Sequence, residues 1–217
     1  MKKTTVIFDL DGTLLDTLQD LADAVNYALR KEGMPERTID EVRRFVGNGV
    51  RLLMIRAVPG GESNPLFEET FAQFKEYYGE HCNDNTKPYD GMIELLETLK
   101  SKGYSVAIVS NKIDFAVKEL SVLYFNGIVP VAIGEKEGVR RKPAPDTVRE
   151  ALKELGRTAE EAVYVGDSDV DIETAKNADM PCISVLWGFR DLEFLEEHGA
   201  KRYARTAEDV LKLVEQM

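Results

Sequence analysis

Short apolar segments alternate with amphipathic stretches along most of the chain. Five of these segments are rich in β-branched and aromatic residues and predict β-strands: Thr4–Asp9, Tyr104–Ser110, Ile128–Ile133, Ala162–Gly166 and Cys182–Leu186. Nearly continuous apolar runs of this kind are typical of parallel strands that are buried on both faces. The alternation therefore predicts an α/β fold built on a doubly wound parallel sheet.

Helices are predicted between the strands by apolar positions that recur every three or four residues. In Gly91–Lys102 the apolar side chains fall on one helical face, and Gly103 follows as a stop signal. Further helices are predicted at Phe115–Leu123, Pro145–Leu155, Val170–Ala178 and Ala207–Glu215.

The region from Thr17 to Thr86 interrupts this alternation, because it predicts consecutive helices without a strand. The apolar residues of Thr17–Lys31 share one face, and Thr38 precedes Glu41 with the spacing of a capping box. We therefore expect a core domain of residues 1–16 and 87–217, and a small all-helical cap domain of residues 17–86 that is inserted after the first strand.

The acidic composition narrows the classes of partner. The 217 residues include 28 Lys and Arg against 39 Asp and Glu, a formal net charge of -11. Such a surface repels nucleic-acid phosphates and anionic lipids, so we expect neither kind of partner. Cys82 and Cys182 form no metal-ligand spacing, and the apolar run near the N-terminus has only three residues before an aspartate. We expect a cytoplasmic protein, either a monomer or a homodimer.

Polar and acidic residues follow three of the predicted strands. They form the segments Asp9-Leu10-Asp11-Gly12-Thr13, Ser110-Asn111-Lys112 and Gly166–Asp171. The carboxyl ends of parallel strands meet at one edge of the sheet, where α/β proteins bind their ligands. If the three strands are neighbours, several carboxylates gather there, and their mutual repulsion requires a cation. An all-oxygen set of ligands indicates Mg²⁺.

A lysine completes this predicted site. Lys142 lies in the proline-rich segment Arg140–Pro145, which follows the third strand. A carboxylate nucleophile, a metal ion and a lysine around one phosphorus atom form a phosphoryl-transfer site, in which a second carboxylate exchanges protons. We therefore expect a small phosphorylated metabolite as the substrate.

Four segments, in this order along the chain, resemble the motifs of a known family. They are Asp9–Thr17, Ser110-Asn111, Lys142–Asp146 and Gly166–Asp171. Together they are similar to the four motifs of the haloacid dehalogenase superfamily, in its phosphoglycolate-phosphatase-like branch. The resemblance covers the whole chain, including the helical insertion directly after the first motif.

This resemblance implies catalytic and phosphate-binding roles for five residues. Asp9 would be the nucleophile that becomes an aspartyl phosphate, and Asp11 would be the general acid and base. Ser110 and the backbone of Asn111 would hold the phosphoryl oxygens, and Lys142 would pair with Asp9 and the phosphate.

The resemblance also implies a metal site. Mg²⁺ would be bound by Asp9, Asp167 and the backbone carbonyl of Asp11, whereas Asp171 would act on the metal through water. The implied activity is a Mg²⁺-dependent phosphatase for a small phosphate monoester, with 2-phosphoglycolate as the first candidate.

Other activities remain open within the same superfamily. A 5′-nucleotidase, a pyrophosphatase and a phosphosugar mutase are alternatives, although the mutases tend to have Gly-Val or Gly-Ile where this chain has Gly12-Thr13. A non-catalytic binding protein on the same fold is a more remote alternative, because every residue that the chemistry needs is present.

Several polar residues outside these roles have structural explanations. Asp16 is expected either to cap the helix at Thr17 or to take part in catalysis. The loop Gly47-Asn48-Gly49 is either a simple connection or a segment that faces the substrate. His81 and His198 lie in no motif, and we expect both to be solvated surface residues.

Overall fold

The structure is a computed structural model that describes residues 2–217. The chain divides into two compact units: the larger contains the residues up to Leu14 together with Pro88–Met217, and the smaller contains Leu15–Lys87. In chain order the elements are β1 (Thr5–Phe8), β2 (Leu15–Asp16), α1 (Leu18–Lys31), α2 (Ile39–Phe45), α3 (Val50–Ala57), α4 (Phe67–His81), β3 (Lys87–Pro88), α5 (Met92–Ser101), β4 (Ser105–Ile113), α6 (Asp114–Phe125), β5 (Val131–Glu135), α7 (Asp146–Leu155), β6 (Ala162–Gly166), α8 (Asp169–Asn177), β7 (Cys182–Val185), α9 (Leu192–Glu197), β8 (Tyr203–Ala204) and α10 (Ala207–Glu215).

The larger unit is built on one six-stranded sheet with the order β5-β4-β1-β6-β7-β8. Every neighbouring pair that the register describes is parallel, and β1 lies between β4 and β6. The residues of β1 and β6 are all buried, as expected for strands covered on both faces. Helices α5 to α8 and α10 pack against the strands. The predicted α/β fold with a doubly wound parallel sheet is confirmed.

The end of β4 differs from the prediction in a way that shapes the site. The strand continues past Ser110 to Ile113, and its pairing with β5 shifts register between Val109 and Ile113. The polar residues Ser110-Asn111-Lys112 therefore lie within an irregular stretch of the strand rather than after its end. A polar sequence gives no sign that the strand resumes beyond it.

Two further strand boundaries reflect local contacts. β5 begins at Val131 instead of Ile128, because the N–H groups of Ile128 and Val129 donate to the carbonyl oxygen of Phe125 at the end of α6. β8 was not predicted, since two residues are too few to show an alternating pattern.

The smaller unit is helical except for β2 and β3, which pair with each other. Its helices enclose a separate apolar core, in which α1 packs on α4 and the side chains of Phe67, Phe74 and Met54 are almost completely buried. The capping box at α2 is confirmed, because Glu41 N donates to Thr38 Oγ1 (3.2 Å) and Thr38 N donates to Glu41 Oε2 (2.8 Å). Among residues 2–217, no helix combines the length and the apolar character needed to cross a membrane.

Candidate active site

Three central strands bring the predicted residues to one edge of the sheet. Phe8 of β1 is level with Ile108 of β4 and Val165 of β6, and Asp9 N donates to the carbonyl oxygen of Val165 (2.9 Å). The residues just beyond this level therefore lie side by side. They are Asp9, Ser110 at the start of the polar stretch of β4, and Asp167 directly after β6. The clustering expected from the sequence arises from the strand order β4-β1-β6.

Asp9 is a buried carboxylate with only 8% of its surface exposed. Its Oδ1 accepts a hydrogen bond from Leu10 N (2.7 Å) and lies 2.8 Å from Lys142 Nζ. Burial and then the neighbouring Asp171 raise the pKa of Asp9 well above its usual range, and Lys142 opposes this shift without cancelling it.

Lys142 is the buried cation at this edge. Its Nζ donates to Asp171 Oδ1 (2.8 Å) and to Tyr164 OH (3.0 Å), in addition to its contact with Asp9. Burial alone would lower the pKa of Lys142, but Asp171 and Asp9 outweigh burial and raise it well above the usual value. Lys142 therefore stays protonated between the two carboxylates.

Asn111 holds the backbone around Lys142. Its side-chain oxygen accepts from Lys142 N (2.9 Å), and its side-chain nitrogen donates to the carbonyl oxygen of Lys142 (3.0 Å). The side chain of Asn111 is thus committed to the backbone of Lys142.

Asp171 is completely buried and its two oxygens have four partners. Oδ1 accepts from Lys142 Nζ and Tyr164 OH (3.2 Å), and Oδ2 accepts from Ser168 N (3.1 Å) and Ser168 Oγ (2.6 Å). These contacts use the approximate capacity of a carboxylate, about four hydrogen bonds. Asp171 thus fixes Lys142 and closes the first turn of α8.

Asp167 is buried on the other side of Asp9. Its Oδ2 accepts from Phe189 N (2.7 Å), and Thr13 Oγ1 lies 3.5 Å from Oδ1. Burial and the neighbouring Asp171 raise the pKa of Asp167 to about 7, although the Phe189 N–H opposes the shift. Gly12 has a φ of 81°, and a Cβ there would overlap Asp167 Oδ2, so glycine is required for this close approach.

The carboxylates of Asp9, Asp167 and Asp171 fit a divalent cation. One oxygen from each lies within 4.8 Å of the others, and all three residues are buried. Three buried carboxylates around one lysine leave surplus negative charge, and this surplus helps to raise the pKa of Asp9 and Asp167. Oxygen ligands and surplus negative charge of this kind suit a hard divalent cation. Because Asp171 is saturated by protein donors, Asp9 and Asp167 are the carboxylates suited to direct binding.

Asp11 lies on the Ser110 side of the cluster. Its Oδ1 accepts from Lys112 Nζ (3.1 Å) and its Oδ2 accepts from Ser110 Oγ (3.4 Å). Sequence reasoning included Lys112 in the polar segment but assigned it no role. The sequence carried no signal for this role, because the predicted strand ended at Ser110, whereas β4 continues through Lys112 to Ile113.

Comparison with known families identifies the arrangement. A family model described as haloacid dehalogenase-like hydrolase matches residues 6–185, which is most of the chain. The chain belongs to the haloacid dehalogenase-like hydrolases. The match begins within β1, before the first motif, and ends with the last residue of β7, so it includes all four motifs.

Individual relatives indicate the branch of the family to which this haloacid dehalogenase-like hydrolase belongs. It is similar to the phosphoglycolate phosphatase of Aquifex aeolicus (strain VF5), with 37% identity over 185 residues that cover 85% of each chain. The chain is also similar to phosphoglycolate phosphatase 1 of Pseudomonas aeruginosa, with 32% identity over 97% of this chain and 79% of that protein. A crystal structure from Lactobacillus delbrueckii subsp. bulgaricus, of a protein with proposed phosphoglycolate phosphatase activity, has 38% identity and a TM-score of 0.96 over 100% of both chains.

These similarities confirm the predicted superfamily and its phosphoglycolate-phosphatase-like branch, and they show that the chain is an enzyme, a hydrolase of the phosphatase class.

The remaining polar residues of this hydrolase have structural contacts. Asp16 Oδ1 accepts from Leu18 N (3.3 Å) at the start of α1. The side chain of His81 is exposed, and its Nδ1 lies 2.8 Å from Asp84 Oδ2. Tyr164, which holds Lys142, was missed because its strand is apolar throughout.

Proposed function

We propose that this hydrolase is a Mg²⁺-dependent phosphatase that cleaves a small phosphate monoester through an aspartyl phosphate on Asp9, with 2-phosphoglycolate as the first candidate substrate. The observation that carries the proposal is the environment of Asp9. A buried carboxylate ends the central strand, contacts Lys142 at 2.8 Å, and shares its surroundings with Asp167 and Asp171. This arrangement supports nucleophilic attack by a carboxylate on a phosphoryl group.

In the first step Asp9 Oδ2 attacks phosphorus, because Oδ1 already accepts hydrogen bonds from Leu10 N and Lys142 Nζ. The new bond joins Asp9 to phosphorus, and the bond from phosphorus to the leaving oxygen breaks. Asp11 donates its proton to that oxygen, so that an alcohol departs. The Lys142 ammonium group offsets negative charge on the phosphoryl oxygens, and Ser110 Oγ donates a hydrogen bond to one of them.

In the second step a water molecule attacks the phosphorus of the aspartyl phosphate. Asp11, now a carboxylate, takes the proton from this water, and the bond between phosphorus and Asp9 breaks. Inorganic phosphate leaves, and Asp9 and Asp11 return to their starting states. Each turnover therefore consumes one ester and one water and releases one alcohol and one phosphate.

Asp9, Asp167 and the backbone carbonyl of Asp11 are the groups that would hold Mg²⁺, whose charge neutralises the phosphoryl oxygens during transfer. The identity of the substrate is supported by the names of the relatives, several of which are phosphoglycolate phosphatases. Insertion of residues 15–87 directly after the first motif supports a role for that unit as a cap that selects the leaving group. The wide separation of Cys82 and Cys182 along the sequence supports a cytoplasmic location.

The proposal is tested by measuring phosphate release from 2-phosphoglycolate and from a panel of other phosphate monoesters, with Mg²⁺ and with EDTA. We expect the highest kcat/KM for 2-phosphoglycolate, activity that depends on Mg²⁺, and inhibition by beryllium fluoride, which mimics a phosphoryl group on Asp9. A nucleotide or sugar phosphate at the top of the panel would overturn the substrate. Full activity in EDTA would overturn the metal dependence, and insensitivity to beryllium fluoride would count against the aspartyl phosphate.

A further inference from the structure

A second buried lysine lies beside the proposed reacting groups. The side chain of Lys112 is 4% exposed, and its Nζ is 3.1 Å from Asp11 Oδ1. Lysine is rarely buried unless its charge is paired, so its position on β4 indicates a specific contact rather than a solvated tail. Lys142 is committed to Asp9 and Asp171, whereas Lys112 contacts Asp11.

Three hydrogen bonds link Lys112, Ser110 and Asp11 in a ring. Lys112 N donates to Ser110 Oγ (3.1 Å), Ser110 Oγ lies within donating distance of Asp11 Oδ2 (3.4 Å), and Lys112 Nζ donates to Asp11 Oδ1. Both oxygens of Asp11 are thereby held by two residues of one strand. The irregular register of β4 between Val109 and Ile113 is the stretch that presents them.

Asp11 needs such an anchor. It lies beyond the end of β1, and its side chain is 17% exposed, so the strand does not hold it and water reaches it. A general acid acts efficiently only when its carboxyl group is held within hydrogen-bonding reach of the leaving oxygen.

We propose that Lys112 is a positioning residue that holds the carboxyl group of Asp11 beside Ser110, in the orientation from which Asp11 gives a proton to the leaving oxygen and later takes one from water. The inference rests on the proposed function of Asp11. Lys112 itself forms and breaks no covalent bond, and its charge stabilises the Asp11 carboxylate that exists between the two proton transfers.

The test compares esters that differ in their need for an acid. 2-Phosphoglycolate and 2-hydroxyethyl phosphate both release an aliphatic alkoxide, which needs protonation, whereas p-nitrophenyl phosphate releases a stable phenolate. We expect Lys112→Met to lower kcat/KM for both aliphatic esters by about 10- to 100-fold, part of the full general-acid effect, and by less than about threefold for p-nitrophenyl phosphate. The ratio kcat/KM is compared because it reports the steps up to formation of the aspartyl phosphate and leaves out the later attack by water, which all three esters share. KM for the aliphatic esters should stay within a factor of about two. Lys112→Arg should restore most of the activity.

A matched control is available on the next helix. Lys118 is exposed and pairs with Asp114 (2.6 Å), so Lys118→Met removes an ion pair without touching the proposed site and should leave kcat unchanged. Thermal unfolding checks that each variant is folded, and Lys112→Gln replaces Lys112→Met in the same assays if the methionine variant is not.

The outcomes separate this inference from the proposed function. In an Asp11→Asn background, Lys112→Met should add less than about a twofold loss, because both changes remove one interaction. Equal losses of kcat/KM on all three esters would overturn the inference. So would additive losses in the double variant, or a loss confined to 2-phosphoglycolate, which would assign Lys112 to the substrate carboxylate. A harmless Asp11→Asn would instead overturn the general-acid role in the proposed function.

Discussion

The two units of the molecule each bury carboxylates, but surround them differently. In the smaller unit Asp20 of α1 is 2% exposed and accepts hydrogen bonds from Asn85 N (2.8 Å), Asn85 Nδ2 (2.9 Å), Thr86 N (2.9 Å) and Thr86 Oγ1 (2.7 Å). All four donors are neutral, and they saturate both oxygens. Asp20 therefore ties the start of α1 to the segment before β3, and its role is structural.

In the larger unit Asp9, Asp167 and Asp171 are also buried, but Asp9 and Asp167 compete with other carboxylates for limited positive charge. This competition adds to burial in raising the pKa of both Asp9 and Asp167. The comparison shows that burial alone does not mark a functional carboxylate. A surplus of negative charge is the stronger sign, because perturbed pKa values cluster at functional sites and a bound cation relieves the repulsion.

The largest expected effect is on the nucleophile. Asp9→Asn should abolish phosphate release, a loss on the order of 10⁴-fold or more, because the attacking oxygen is gone. The metal-free variant should be at least as stable as the wild type, since a neutral amide relieves repulsion among the buried carboxylates. Phosphate release and thermal unfolding in EDTA measure the two effects. A strongly destabilised variant would place Asp9 in the same structural class as Asp20.

The next effect is a loss of stability with rising pH that comes from a buried carboxylate of the larger unit. Asp167 has a pKa of about 7 in the folded, metal-free protein, against about 3.9 when unfolded. Between these values the folded state binds more protons than the unfolded state. The free energy of unfolding should therefore fall as the pH rises from about 4 to about 7, by up to about 1.4 kcal/mol per pH unit.

Urea unfolding in EDTA across this pH range measures that slope. Asp167→Asn, which mimics the protonated form, should lose the part of this slope that comes from Asp167. At a pH of about 7.5, just above the folded pKa, added Mg²⁺ should stabilise the wild type more than the variant. Parallel pH profiles for the two proteins would show that Asp167 does not carry the surplus charge.

A smaller loss of stability is expected at the structural carboxylate. Asp20→Ala should lower the free energy of unfolding by about 1–3 kcal/mol, because it leaves the buried N–H of Thr86 and its neighbouring donors without an acceptor. Urea unfolding measures this change. The kcat of the folded variant for p-nitrophenyl phosphate should match the wild type, and a large loss of kcat would contradict the structural assignment of Asp20.

The smallest effect concerns a helix end in the smaller unit. Thr38→Ala removes the side-chain acceptor for Glu41 N and should cost about 1 kcal/mol of stability. Thr38→Ser keeps the hydroxyl group and is the matched control. If both variants unfold at the same urea concentration, the capping contact contributes nothing measurable.

The sequence by itself determined the features that depend on nearby residues. Apolar periodicity predicted β1, β4, β5, β6 and β7 and the inserted helices, and Thr38 with Glu41 predicted a capping box that the structure contains. Asp9 and Asp167 were placed at a sheet edge because each directly follows a buried strand or its last glycine. These inferences succeeded because strand, helix and cap formation are decided within a few residues.

Only the tertiary structure decided which of these side chains meet. Asp171 binds Lys142, which lies 29 positions away in the sequence, and Asn111 binds the backbone of Lys142 from 31 positions away. Lys112 and Asp11 are 101 positions apart in the sequence and still form an ion pair. These contacts follow from the strand order β5-β4-β1-β6 and from the irregular end of β4. Local hydrophobic patterns do not specify either one, because the energy that selects a strand's neighbours comes from packing between segments that are far apart in the chain.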